Sequence, residues 1–177
     1  MLTADMVHEK LVCFAHGKES GPWGTKITRL AEVARTRGYE VISPDYSHTH
    51  DPKLRVKQLL DLAPRAKQLV LAGSSMGGYV SAMACAKLKP QALFLMAPAL
   101  YFPGWDEDPA GCPAMTCVVH GWNDDIVPVQ VSERFCKSRS AKPDLHLLNS
   151  GHTLTDQLPI LVRLFEGLLE RVDAQPR

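Results

Sequence analysis

The sequence contains no long hydrophobic stretch. No apolar run approaches the roughly 20 residues that a helix needs to cross a bilayer, so no membrane partner is expected. The opening MLTADMVHEK carries charges where a signal peptide would need an apolar core, so no secretory leader is expected. Charge of one sign is missing too. Twenty Lys and Arg stand against 19 Asp and Glu, a formal net charge of +1, and they are spread along the chain. That distribution argues against an electrostatic footprint for nucleic acid or an anionic surface. Cysteines number only five and include no C-x-x-C pair. Cys13 and Cys117 lie in apolar runs and Cys85 in a small-residue helix, so buried free thiols and a reducing cytoplasm are expected. Gly77-Gly78 is not followed by the Gly-Lys-Ser/Thr ending of a phosphate loop. In "SHTHD" (47–51) two histidines stand beside an aspartate, but no further ligand spacing supports a zinc site, and substrate contact is the better reading. Repeats, linkers and low-complexity tracts are absent. What remains is a 177-residue chain, 45% hydrophobic and 22% charged, expected to form one domain over 1–177 with its own core.

Apolar runs alternate with helical stripes. "KLVCFAHG" (10–17), "EVISPDY" (40–46), "QLVLAGSS" (68–75), "ALFLMAP" (92–98), "MTCVVHG" (115–121) and "DLHLLN" (144–149) read as six strands. Most are continuous rather than alternating, as in strands covered on both faces. Segment 25–38 places Ile27, Leu30, Ala31 and Ala34 on one helical face, with Thr25 able to cap its start and Gly38 marking its end. Helices are also expected over 53–63 and 77–88. Leu158, Leu161, Phe165, Leu168 and Val172 mark a last, core-facing helix. The alternation predicts parallel crossover units and a three-layer α/β/α sandwich around a mainly parallel sheet of about six strands.

In such sheets ligands sit beyond the carboxyl ends of the strands. The chemically loaded residues fall there: His16-Gly17, Asp45, Ser75, His120 through Asp124, and His152. The frame Gly73-Ser74-Ser75-Met76-Gly77 follows a predicted strand and opens a predicted helix, the context in which G-x-S-x-G presents a nucleophile. The Met76 amide, in the first turn of that helix, points to oxyanion stabilisation. A serine hydroxyl needs a base. His152 in "NSGHTL" is the late histidine at the active edge, and "HGWNDDIVP" (120–128) offers Asp124 or Asp125 to orient it. The chain order Ser, Asp, His is that of one triad fold among several.

Taken together, "FAHGKES" (14–20), "SPDY" (43–46), "GSSMGG" (73–78), "HGWNDDIVP" and "SGHTL" (150–154) resemble the α/β-hydrolase superfamily, and in particular its small, lidless bacterial esterase-like members. The resemblance runs in order over nearly the whole chain. By that likeness the acid falls at Asp124, and the backbone N–H of Lys18 joins that of Met76 in an oxyanion hole. The family's usual antiparallel strands before the His-Gly strand are missing, and segment 99–114 is too short for a helical lid. The implied activity is a cofactor-independent serine hydrolase of the carboxylesterase type, forming an acyl-enzyme on Ser75 from short-chain esters or thioesters. His16, Gly17, Tyr101, Trp105 and Trp122, with Phe102 and Trp23 nearby, are candidates to line its acyl pocket. An amide- or peptide-cleaving enzyme would share the machinery. A protein-interaction module retaining the fold is the reading from another class.

Overall fold

Leu11, Cys13 and Ala15 bury their side chains on one face of the first strand, Val12 and Phe14 on the other. That period-two split between two buried layers repeats across the central strands and explains their unbroken apolar runs. In the computed structural model, which describes residues 7–176, six strands form one sheet: β1 (His8–Ala15), β2 (Glu40–Ile42), β3 (Ala66–Ser74), β4 (Ala92–Met96), β5 (Met115–Gly121) and β6 (Asp144–Leu148). Their order is β2-β1-β3-β4-β5-β6, and every neighbouring pair is parallel.

Helices α1 (Thr25–Thr36) and α5 (Leu158–Asp173) cover one face. Ile27, Leu30, Ala31 and Ala34 pack there with Leu161, Phe165, Leu168 and Val172 over Phe14, Phe94 and Val119. Helices α2 (Pro52–Leu62), α3 (Met76–Leu88) and α4 (Val129–Ser138) cover the other, with Leu59, Tyr79, Val80 and Phe135 against Leu71, Leu93 and Val118. Asp51 caps α2 by accepting from Lys53 N at 2.8 Å, and Pro52 fills the first helical position, where no N–H is needed. Among the described residues no helix is long and apolar enough to cross a membrane, and 99–114 holds no helix over the carboxyl edge.

Two local expectations are corrected, and one helix stands where the apolar pattern marked none. Thr25 does not cap α1; Gly24 stands at the N-cap without a side-chain bond, and Thr25 is the first helical residue. β2 stops at Ile42 rather than Tyr46, because Pro44 has no N–H to continue the ladder and the chain turns over the end of β1, where Tyr46 N donates to His16 Nε2 at 2.9 Å. Helix α4 is not marked by the apolar pattern alone. Its ten residues include Val129 and Val131, it lacks a side-chain cap, and its buried stripe includes the polar Ser132.

The order places β1 where the sheet's winding reverses. The chain steps from β1 out to β2, then returns across β1 to lay down β3 and the remaining strands. At such a switch point the connections after the two central strands leave in opposite directions and open a crevice. Residues 16–18 follow β1 and Ser75 follows β3, so both border that crevice.

Candidate active site

Ser75 is the single residue between β3 and α3, and its backbone lies at φ 55°, ψ −119°. An L side chain pays for such a conformation, which persists only when the surroundings over-determine it. Here the surroundings are backbone. A Cβ on Gly73 would sit 2.1 Å from the Gly77 carbonyl oxygen, and one on Gly77 would sit 1.9 Å from that of Ala15. Strand, turn and helix therefore touch main chain to main chain. Ser75 N donates to Met96 O and Ser75 O accepts from Ala99 N, each at 2.9 Å, which ties the turn to the end of β4.

So held, the Ser75 hydroxyl donates to His152 Nε2 at 3.0 Å, and His152 Nδ1–H donates to Asp124 Oδ2 at 2.7 Å. Asp124, not the exposed Asp125, meets the imidazole. The other Asp124 oxygen accepts from the amides of Ile126 and Val127 at 2.9 and 2.8 Å. The carboxylate side chain is fully buried. Burial pushes its pKa up, but the bonds from His152 and from the two amides outweigh this and hold it below the ordinary carboxylate value. His120, fully buried in β5, adds a second imidazole 3.1 Å from Asp124 Oδ2. Ser132 of α4 donates to His120 Nδ1 at 2.6 Å, leaving Nε2–H for Asp124 and for Val127 O at 2.9 Å.

The loop after β1 is fixed from beneath. Tyr46 N donates to His16 Nε2, so His16 Nδ1–H donates to Gly17 O at 2.8 Å, and burial keeps this ring's pKa low. Arg55 of α2 is completely buried and has no carboxylate partner among the described residues. Its guanidinium donates instead to carbonyls, to Thr49 at 2.8 Å, Gly17 at 3.0 Å, Lys18 at 3.3 Å and His16 at 3.4 Å. From α1, Lys26 Nζ donates to Ser74 Oγ at 2.8 Å, and desolvation lowers its pKa to about 8 against a smaller opposing effect of Asp124.

A cavity of about 650 Å³ opens above Ser75 and His152, with a largely apolar wall to which Ile27, Phe102, Trp105 and Val127 contribute. Among the sequence-predicted residues, His16, Gly17, Lys18, Met76 and Trp105 line it with Ser75 and His152. Tyr101 and Trp122 do not. Tyr101 donates its hydroxyl to Asp108 and lies under the Arg134 guanidinium, 3.8 Å from the ring centroid, which draws it toward α4. Trp122 is 56% exposed, its backbone pinned to Leu148 O. Trp23, His48 and His50 are also exposed and lie outside the cavity. Among the described residues no group of three or more His, Cys, Asp or Glu side chains is placed to hold a metal ion.

Sequence patterns give no notice of Arg55, Lys26 or the His120–Asp124 contact. Each is a polar side chain buried by a partner distant in sequence or by a turn of specific shape. A weak signal exists for His120, which sits at the carboxyl end of an otherwise apolar strand.

The sequence matches the alpha/beta hydrolase family over residues 13–135. A protein of the alpha/beta hydrolase superfamily from Xanthomonas campestris pv. campestris is 32% identical, with a TM-score of 0.82 over 92% of this chain and 99% of that one. XC6422, an α/β serine hydrolase without lid from Xanthomonas campestris, is 24% identical, with a TM-score of 0.69 over 98% and 87%. Est1E from Butyrivibrio proteoclasticus is 19% identical, with a TM-score of 0.80 over 95% and 90%. No functionally curated protein matches the sequence. Most of the chain lies within the family match and nearly all of it superposes on a relative of substantial identity: the protein belongs to the alpha/beta hydrolase family.

Proposed function

We propose that the protein is a serine hydrolase that cleaves short-chain carboxylic esters or thioesters through an acyl-enzyme on Ser75. The observation that carries the reading is the continuous relay Ser75–His152–Asp124, with contacts of 3.0 and 2.7 Å, at the floor of the cavity. As Ser75 Oγ bonds to the acyl carbon, its proton passes to His152 Nε2, and Asp124 stabilises the imidazolium. The carbonyl oxygen takes the electron pair as an oxyanion. The Met76 amide at the start of α3 and the Lys18 amide on the loop after β1 receive it. Collapse breaks the bond to the alcohol or thiol, which leaves with the proton from His152. Water, deprotonated by the same imidazole, then releases the acid and restores Ser75. A cavity of this volume without a helical cover suits short, soluble acyl groups.

The test is turnover of 4-nitrophenyl butyrate by the wild type and by Ser75→Ala and His152→Ala. Each variant should lose about 10³-fold or more in kcat, with little further loss in the double variant, because the pair acts as a unit. Unchanged turnover in Ser75→Ala overturns the mechanism, and absence of turnover in the wild type supports the interaction-module reading.

A further inference from the structure

Lys26 is an expensive residue where it stands. It is the second residue of α1, at the end of the helix dipole that disfavours a cation, in a first turn that holds no acidic residue. Its ammonium is drawn away from solvent into the wall of the cavity above Ser75, and its pKa falls accordingly. Among the described residues it has no ion-pair partner, and the protein accepts one of its three protons, at Ser74 Oγ. Among the described residues Glu19 is the one carboxylate that lines the cavity, and it is exposed and paired with neither Lys18 nor Lys26. Counting Lys18 and Lys26 against Glu19, the lining carries a surplus positive charge.

A half-buried cation with unused donors in an apolar cavity is a receptor for an anion. A single ammonium matches a single negative charge, and the carboxylate is the simplest such group that an ester substrate can carry. The lysine's hydrogen-bond partner, Ser74, is the residue next to Ser75, and consecutive Cα atoms are about 3.8 Å apart. Lys26, Ser74 and Ser75 line the same cavity, so an anion held on Nζ and a carbonyl held at Ser75 Oγ would share one enclosed space.

We propose that Lys26 makes this cavity a site for esters that carry a carboxylate a few atoms from the scissile carbonyl, the ammonium pairing with that carboxylate while Ser75 attacks. The proposal rests on the hydrolase reading above. It narrows the substrate class from short acyl esters in general to those of half-esterified dicarboxylic acids and their equivalents.

The test compares matched substrates on wild type, Lys26→Met and Lys26→Arg. One arm sets 4-nitrophenyl hemiglutarate against 4-nitrophenyl butyrate and places the charge on the acyl side. The other sets 3-carboxy-4-nitrophenyl butyrate against 4-nitrophenyl butyrate and places it on the leaving group. The charged-to-neutral ratio of kcat/KM should fall about tenfold or more in Lys26→Met in the arm that matches the natural geometry, and Lys26→Arg should recover part of it. A fall in the acyl arm assigns the carboxylate to the acid, and a fall in the other assigns it to the alcohol. An unchanged ratio in both arms overturns the proposal, while Ser75-dependent butyrate turnover shows that the hydrolase reading survives it. Calorimetric titration with glutarate reads the same contact without turnover. Binding weakened about tenfold in Lys26→Met supports the site, and equal affinity, or none in the wild type, overturns it.

Discussion

Replacing Arg55 by Met should cripple turnover far more than it destabilises the fold. The guanidinium makes two good bonds, to Thr49 O and Gly17 O at 2.8 and 3.0 Å, and two long ones, to Lys18 O and His16 O at 3.3 and 3.4 Å. Each good charged bond contributes about 1.5–3 kcal/mol before desolvation is counted. Burying an unpaired guanidinium costs several kcal/mol in the other direction, and Met fills most of the stem's volume. The net loss of stability should therefore be about 1–3 kcal/mol. Activity is a different matter, because three of the four carbonyls belong to the loop whose Lys18 amide is the proposed oxyanion donor. Full loss of such a donor costs about 2.7–4 kcal/mol in the barrier. A loop displaced by part of an ångström keeps some of it, so kcat for 4-nitrophenyl butyrate should fall about 10–100-fold with a smaller change in KM. Circular dichroism and urea unfolding establish that the variant is folded. A folded Arg55→Met with kcat within twofold of wild type would refute the claim that this buried cation positions the loop.

Three further outcomes test the electrostatics. Asp124→Asn should lower kcat by about 10³–10⁴-fold, because the amide presents a donor where His152 Nδ1–H needs an acceptor. The same carboxylate has a folded pKa below its unfolded one, so its stabilisation is present above the ordinary carboxylate value and disappears as pH falls through the lowered one. Urea midpoints between about pH 5 and pH 2 should fall more steeply for wild type than for Asp124→Asn, and parallel curves would contradict the assignment. Lys26 has the opposite consequence. Its folded pKa of about 8 lies below the ordinary 10.5, so the unfolded chain holds a proton that the folded one gives up. Stability from this group should rise as pH climbs from about 8 to about 10.5, by at most about 3 kcal/mol before partial exposure is discounted. Lys26→Met should flatten that rise and raise the urea midpoint near neutral pH; an unaltered slope would mean that the ammonium is not desolvated.

The sheet and the sharp turn at Ser75 were legible because both leave local traces. Strands buried on two faces read as apolar runs, and a turn packed main chain to main chain requires Gly73 and Gly77 on either side of Ser75. The rule that strand ends share one edge pointed to His152 and left Asp124 and Asp125 open, and the family resemblance favoured Asp124, the one that meets the imidazole. The supporting layer was not legible. Arg55 and Lys26 look like ordinary solvated charges, and only the folded chain shows one beneath the loop after β1 and the other on Ser74, 48 positions away. The direction of loop side chains was equally hidden. Trp105 enters the cavity while Tyr101, four residues earlier, is pulled out by Asp108 and Arg134, and no periodicity distinguishes the two. Helix α4 leaves a weaker trace because Ser132, which bonds His120, interrupts its apolar stripe.

The most direct measurement is the rate at which a fluorophosphonate adds to the intact protein, followed by mass spectrometry with the modified residue located by peptide mapping. The account predicts one adduct, on Ser75, formed rapidly in wild type, slowed by about 10³-fold or more in His152→Ala and absent in Ser75→Ala. Equal labelling rates in wild type and His152→Ala, or an adduct elsewhere, would contradict the claim that the imidazole activates this hydroxyl.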